Sequence, residues 1–125
     1  MARTKDQDAL GKRGEALAHD FLAGLGYTLL DRNWRSDHGE IDLVMRDSDV
    51  IVLVEVKTRA GETAGRAEEA ITRSKSRKLL STGEWYMHYH PEFANLFWRC
   101  DLVAITVDPF GEPTITHYVN SIVSG

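Results

Sequence analysis

Residues 39–57 read Gly39-Glu-Ile-Asp-Leu-Val-Met-Arg-Asp-Ser-Asp-Val-Ile-Val-Leu-Val-Glu-Val-Lys57. Two apolar segments flank Asp47-Ser48-Asp49, a combination that predicts a β-hairpin with strands over Glu40–Arg46 and Val50–Thr58. The second strand is apolar on both faces until Glu55, which suits the middle of a sheet covered on two sides. If Ser48 and Asp49 form a two-residue turn, Asp47 faces Val50. On that register Asp42 lies opposite Glu55, and Glu40 lies opposite Lys57. Side chains alternate along a strand, so Glu55 and Lys57 share a face. Four charged groups would then gather at one end of an apolar hairpin, and a one-residue slip would scatter them.

Outward from the hairpin, Leu10, Gly14, Leu17, Ala18, Phe21 and Leu25 recur at helical spacing, predicting a helix from about Asp8 to Leu25 that stops at Gly24 and Gly26. Tyr27–Trp34 reads as a strand and Ser36–Gly39 as a turn. Beyond the hairpin, Ala60–Arg66 reads as a glycine-containing loop, followed by a second helix between Ala67 and His88, with Pro91 beyond its end. Trp98–Val107 is a further strand, Asp108–Pro113 a turn and Thr114–Val119 a last short strand. The expected fold class is therefore α/β in the order α-β-β-β-α-β-β, a mixed central sheet flanked by helices. A chain of 125 residues fits one domain spanning residues 1–125.

Composition sets outer bounds. Hydrophobic residues make up 42% and charged residues 27%, ordinary for a globular domain. Cys100 is the only cysteine, which rules out an internal disulfide and fits a reducing compartment. The first eight residues hold no apolar signal segment, and the Val50–Val54 run is too short to span a bilayer, so a soluble cytoplasmic protein without membrane contact is expected. Fifteen Lys and Arg against nineteen Asp and Glu give a net charge of −4, which counts mildly against nucleic-acid binding. The charge is uneven, however: Ile71–Leu80 carries Arg73, Lys75, Arg77 and Lys78 and no acidic residue.

Two carboxylates placed opposite each other repel, and removing them from water sharpens the conflict. A divalent cation resolves it, and hard oxygen ligands suit Mg²⁺ or Mn²⁺. Such an ion lowers the pKa of a bound water and polarises a phosphodiester. Lys57 beside carboxylates is favoured as an ammonium, which suits electrostatic stabilisation better than general-base work. Taken alone, Glu55-Val-Lys57 is a common solvated strand pattern, and Glu40 with Lys57 an ordinary cross-strand ion pair. The placement of these charges at the end of a buried strand, with Asp42 arriving from its hairpin partner, raises the site above that reading.

Asp42, followed thirteen residues later by Glu55-Val-Lys57, resembles the PD-(D/E)xK signature of restriction-endonuclease-like proteins, with Ile41 in place of the signature's proline. The predicted element order is similar to that fold's αβββαβ core. More closely, Gly11-Lys-Arg-Gly-Glu15, Gly26-Tyr27, Arg32-Asn33, Gly39-Glu-Ile-Asp-Leu43, Val54-Glu-Val-Lys-Thr-Arg59 and Arg99-Cys-Asp101 together resemble the YraN-like family of small bacterial proteins, over about Gly11 to Val107. That family is similar to archaeal-type Holliday-junction resolvases. The resemblance implies Asp42 and Glu55 as metal ligands, Lys57 as the catalytic lysine and Glu15 as a further acidic residue at the metal. It implies a Mg²⁺- or Mn²⁺-dependent endonuclease acting on DNA, with branched DNA among its candidate substrates and a homodimer suited to symmetric cutting.

Other segments carry weaker signals. Arg73, Lys75 and Arg77, with Thr58 and Arg59 following the active strand, are candidates for phosphate contact, against the commoner reading of a solvated helix face. His88-Tyr-His90 looks like a helix end running into Pro91 rather than half of a zinc site. His38 is expected as a turn residue close to the site. Trp85, Tyr86, Phe93, Phe97 and Trp98 read first as core packing, then as a dimer contact, and last as a base-stacking surface. Asp101 is expected to pair with Arg99. The acidic net charge keeps a second function open, a non-catalytic nucleic-acid-binding or adaptor protein that retains the fold.

Overall fold

In a computed structural model of the chain, residues 5–60, 73–108 and 111–120 are described. Helix α1 spans Lys5–Gly24, followed by strands β1 (Thr28–Ser36), β2 (Gly39–Asp47) and β3 (Val50–Ala60). Helix α2 (Arg73–Tyr89) leads through a single 3-10 turn at Pro91–Phe93 to β4 (Phe97–Val107) and β5 (Thr114–Tyr118). The expected loop at Ala60–Arg66 falls almost wholly outside the described residues, as do the side chains of Arg73 and Ser74.

The five strands lie in sequence order. β1, β2 and β3 form an antiparallel meander, β3 and β4 run parallel, and β5 returns antiparallel to β4. A parallel neighbour for β3 requires a crossover, and α2 lies within it. This is the α/β class and the αβββαβ order read from the sequence.

Each helix covers one face of the sheet. Ala18 and Leu22 of α1 pack with Leu43, Met45, Val52, Val54, Val103 and Ile105. Leu79 and Tyr86 of α2 pack on the other face with Val44, Ile51, Leu53, Cys100 and Leu102. Ile51 to Val54 are fully buried, alternating between these two cores. Each fully buried side chain of that size contributes about 1.5–3 kcal/mol, so this run anchors β3 at the centre of the sheet. Burial, with Asp101 and Glu55 adding to it, pushes the Cys100 thiol up to about 12.

α1 ends where Gly24 and Gly26 punctuate the chain, with the Tyr27 N–H reaching back to the Leu22 carbonyl at 3.1 Å. α2 ends at Tyr89 just before Pro91, as expected of His88-Tyr-His90. The Tyr86 hydroxyl donates to Asp31 Oδ2 at 2.8 Å, tying α2 to β1. Burial first, and then this carboxylate, push the Tyr86 phenol upward from its ordinary pKa.

At β4, Asp101 is fully buried and its carboxylate draws three partners together. Arg99 Nε donates at 3.0 Å, the Asn120 N–H at 2.7 Å, and His117 Nε2 lies at 2.8 Å. Arg99 also donates to the Tyr27 hydroxyl at 2.9 Å. Burial opposes the Arg99 charge, but Asp101 outweighs it and pushes the guanidinium upward. The expected Arg99–Asp101 pair is thus one arm of a hub joining β4 to Tyr27 just before β1, to His117 of β5 and to Asn120 beyond it.

Candidate active site

The hairpin adopts the expected register. Asp47 pairs with Val50, Arg46 with Ile51 and Leu43 with Val54, across a turn in which Ser48 takes φ 53°. The ladder stops at Leu43–Val54, one step short of Asp42 and Glu55. Beyond that point β3 continues alongside β4 as far as Ala60, while the end of β2 stays with β1. The Val56 N–H, which has no ladder partner on β2, is taken by Asp42 Oδ2 at 2.8 Å. The expected direct opposition of Asp42 and Glu55 is thus replaced by a side-chain-to-backbone bond where the two strands part.

The Asp42 carboxyl is half-buried. Burial, followed by the charge of Glu55, pushes it up to about 7. The Val56 hydrogen bond pulls the other way, and Glu15 and Glu40 add further repulsion. Asp42 of β2 is therefore the centre of an acidic cluster, feeling the charge of Glu55 on β3 most, then that of Glu15 on α1 and of Glu40. Gly14 explains how α1 comes so near: a Cβ there would overlap the Thr58 hydroxyl oxygen. Only glycine lets the helix backbone sit on that strand and set Glu15, the next residue, beside the parting strands.

Lys57 Nζ lies 3.1 Å from Glu55 Oε1, both side chains being mostly buried. The expected pairing of Glu40 with Lys57 does not form. Glu40 pairs instead with Arg35 at 3.2 Å, its register partner on β1. The β1–β2 ladder runs to the end of β2, so Glu40 finds a cation directly across that ladder, where β3 has already moved away.

Glu55 and Lys57 form one wall of a cleft of about 500 Å³. Arg35, Ser36, Gly39 and Glu40 form its rim, and Lys75, Lys78, Leu79 and Thr82 of α2 face them. Gly39, at φ +133°, brings the β1–β2 turn hard against α2, since a Cβ there would strike the Thr82 hydroxyl. The Thr82 hydroxyl lies 2.9 Å from the His38 carbonyl and 2.8 Å from that of Lys78, closing this end of the cleft.

Of the residues expected to contact phosphate, Lys75 lines the cleft and Arg77 does not. Arg59 shares the strand face of Glu55 and Lys57 by alternation. Thr58 lies on the opposite face, against Gly14 of α1. The Arg73 side chain falls outside the description. Lys78 and Arg35 were missed by the sequence reading. Positions 75, 78, 79 and 82 share one helical face, so i, i+3 periodicity would have selected Lys78 over Arg77.

A hard divalent cation suits the acidic cluster in its donor chemistry, because every candidate donor is a carboxylate oxygen. The described ion pairs give Lys57 to Glu55 and Arg35 to Glu40. None of them supplies a cation to Asp42. Among the described residues no three His, Cys, Asp or Glu side chains form a ready cage. Mg²⁺ needs only one or two carboxylates, with water and substrate oxygens completing its shell.

Residues 14–105 match the profile of the Uncharacterised protein family UPF0102. The chain belongs to the UPF0102 family. A UPF0102 protein of Kineococcus radiotolerans is 45% identical over 118 residues, covering 94% of this chain and 96% of that protein. One from Clavibacter michiganensis is 45% identical over 112 residues, covering 90% and 93%. One from Anaeromyxobacter dehalogenans is 39% identical over 112 residues, covering 90% and 82%. The UPF0102 match starts at Gly14 and ends at Ile105, so it takes in the acidic cluster, the cleft and α2 together. The YraN-like resemblance read from the motifs is this same family. No helix among the described residues is long and apolar enough to cross a membrane.

Proposed function

We propose that this UPF0102 chain is a Mg²⁺- or Mn²⁺-dependent endonuclease hydrolysing phosphodiester bonds of DNA. The observation that carries the reading is the Lys57–Glu55 pair in the wall of a cleft faced by Lys75 and Lys78, with Asp42 on the neighbouring strand accepting the Val56 N–H next to Glu55. Asp42 and Glu55 would hold the ion, with Glu15 beside them. When bound, it would supply an activated water and offset negative charge on the attacked phosphate.

The chain's own groups account for the rest. Lys57 brings an ammonium to the cleft wall, oriented by Glu55, and stabilises the charge that develops on phosphorus. Lys75 and Lys78 on one side and Arg35 on the other attract the phosphates flanking the cut. Together they give the site a local basic character that the net charge of −4 conceals. Cutting both strands of a duplex or junction calls for two such sites, which a homodimer provides.

The test is cleavage of labelled linear duplex, single strand, flap and four-way junction DNA, and of RNA, in Mg²⁺, in Mn²⁺ and in EDTA. Lys57→Ala is expected to lower the rate by roughly 10²–10³-fold with folding unchanged, the loss typical of a single charge-stabilising group. Metal-dependent cutting that disappears in Lys57→Ala and Asp42→Asn supports the hydrolytic reading. A well-folded protein that cuts nothing, or cutting that survives in both variants, would leave a binding or adaptor protein in its place.

A further inference from the structure

Beyond Thr82, at the end of the cleft, lies a group of rings that the hydrolytic site does not use. His38, at the tip of the β1–β2 turn, stacks on Trp85 with ring centroids 3.8 Å apart and planes within 2°. Tyr89 lies 6.0 Å from Trp85 at 32° and is 52% exposed. Trp85 is only partly buried, while its neighbour Tyr86 turns inward and is fully buried in the α2 core. Tyr86 therefore meets the packing requirement of this turn, and Trp85 and Tyr89 are left along a rim.

The rim is joined to the cleft. The Thr82 hydroxyl that lines the cleft also contacts the His38 carbonyl, and Ser36, another lining residue, accepts the His38 N–H at 3.1 Å. Trp85 lies seven residues beyond Lys78 on the same helix, about 10 Å along its axis. A nucleic-acid strand rises about 3.4 Å per nucleotide, so that separation spans about three nucleotides.

We propose that the His38–Trp85–Tyr89 ledge is a stacking site for an unpaired nucleobase, so that the preferred substrate is a nucleic acid with single-stranded positions about three nucleotides from the phosphate held at Lys78. A paired base presents only its edges, because both its faces are covered by neighbouring pairs. An unpaired base has a free face, and aromatic side chains take it without regard to sequence. His38 already covers one face of Trp85 in a parallel stack and His88 meets the ring edge-on at 5.5 Å, so a base would extend this stack from the His38 side or from the exposed Tyr89 side. The proposal rests on the reading of the cleft as the phosphate site, and it narrows that reading to substrates with an open strand.

The experiment measures binding by fluorescence anisotropy in EDTA, where no cleavage occurs. The probes are a fully paired DNA hairpin and the same hairpin carrying a three-nucleotide unpaired tail, with 2-aminopurine placed in the tail in a parallel series. Wild type should prefer the tailed probe and quench the 2-aminopurine. Trp85→Ala should weaken tailed binding by about tenfold and remove the quenching, while changing hairpin binding less than twofold. Trp85→Phe should restore most of the difference, as a purely space-filling role would not require. Tyr89→Ala, at an exposed position, provides the same comparison should Trp85→Ala fold poorly.

Equal affinity for the two probes, equal losses on both, or no oligonucleotide binding at all would overturn the ledge. The rings would then be packing or a protein contact. The hydrolytic reading fails separately: a tail preference lost in Trp85→Ala, in a protein that cuts nothing with either metal, would retain the ledge and reject the nuclease. Cleavage with no tail preference would do the reverse.

Discussion

The carboxylate of Asp42 accepts the main-chain N–H of Val56 across the point where β2 and β3 separate, at 2.8 Å. A side chain thus completes a ladder that the backbone leaves open. The bond holds an acidic group half-buried among Glu55, Glu15 and Glu40, where burial and the Glu55 charge push it up to about 7. The proposed metal ligand and a local weakness of the fold therefore meet in the same residue.

That weakness has a definite pH dependence. The folded Asp42 carboxyl titrates near 7, against an ordinary value of 3.8. Between about pH 4 and pH 7 the folded protein holds a proton that the unfolded chain has lost, so stability falls as pH rises through this window. Asp42→Asn keeps an oxygen for the Val56 N–H and carries no charge. In metal-free buffer at pH 8 it should melt roughly 4 °C above wild type, the shift expected for about 1 kcal/mol in a domain of this size. At pH 4 the gain should vanish. A variant less stable than wild type at pH 8 would show that the carboxylate is not under repulsion there.

Along α2, the cleft takes Lys75 and Lys78 and leaves Arg77 aside. If those two lysines contact phosphate, Lys78→Ala should weaken oligonucleotide binding across all sequences and lower the salt dependence of log K by about 1. Lys75→Ala should act alike. Arg77→Ala, one residue away in sequence, should leave the slope unchanged. A slope that responds to Arg77 and not to Lys78 would place the strand on another side of the helix.

Much of this arrangement was legible in the sequence because it rests on short-range rules. The Asp47-Ser48-Asp49 turn and the apolar run after it set the hairpin register, and the strands kept it. Where the ladder ends was not legible. It depends on how β2 is shared between β1 and β3, and β1 carries a register shift between Leu29 and Asp31 and a left-handed Asn33 at φ 53°. The β2–β3 register alone points Glu40 at Lys57, but that ladder ends at Leu43 while the β1–β2 ladder continues to Gly39. The turn at Ser36–Gly39 already places Arg35 opposite Glu40. The contact of His38 with Trp85 spans 47 positions between a turn and a helix, and no local pattern announces it.

The close approach at Gly14 links helix packing to the acidic cluster. Gly14→Ala should force α1 away from Thr58, costing about 1–3 kcal/mol as overpacking does. It should also lower hydrolytic activity, because Glu15 moves with the helix. Thr58→Ala removes the hydroxyl and methyl groups but leaves the Thr58 Cβ, 2.9 Å from the new Cβ, so the double variant should recover part of both losses. Chemical denaturation and cleavage of the four variants test this as a double-mutant cycle. Additive losses would mean that Gly14 serves some other purpose than this contact.

Away from the cleft, Asp101 is expected to behave as a structural centre. Asp101→Ala leaves Arg99 without its carboxylate partner and the Asn120 N–H without its acceptor, both in an interior where unpaired groups are costly. The loss should be about 3–5 kcal/mol, seen as a lower urea midpoint with an unchanged slope. Asp101→Asn keeps one acceptor oxygen for Asn120 and gives up the charge and the second acceptor, where His117 and Arg99 Nη2 lie, so it should fall between the two. Because the hub gathers Tyr27, Arg99, His117 and Asn120 and none of them lines the cleft, the metal dependence of cleavage should be unchanged in whatever fraction of either variant remains folded. An Asp101→Asn protein that is fully stable but inactive would instead place Asp101 in the chemistry.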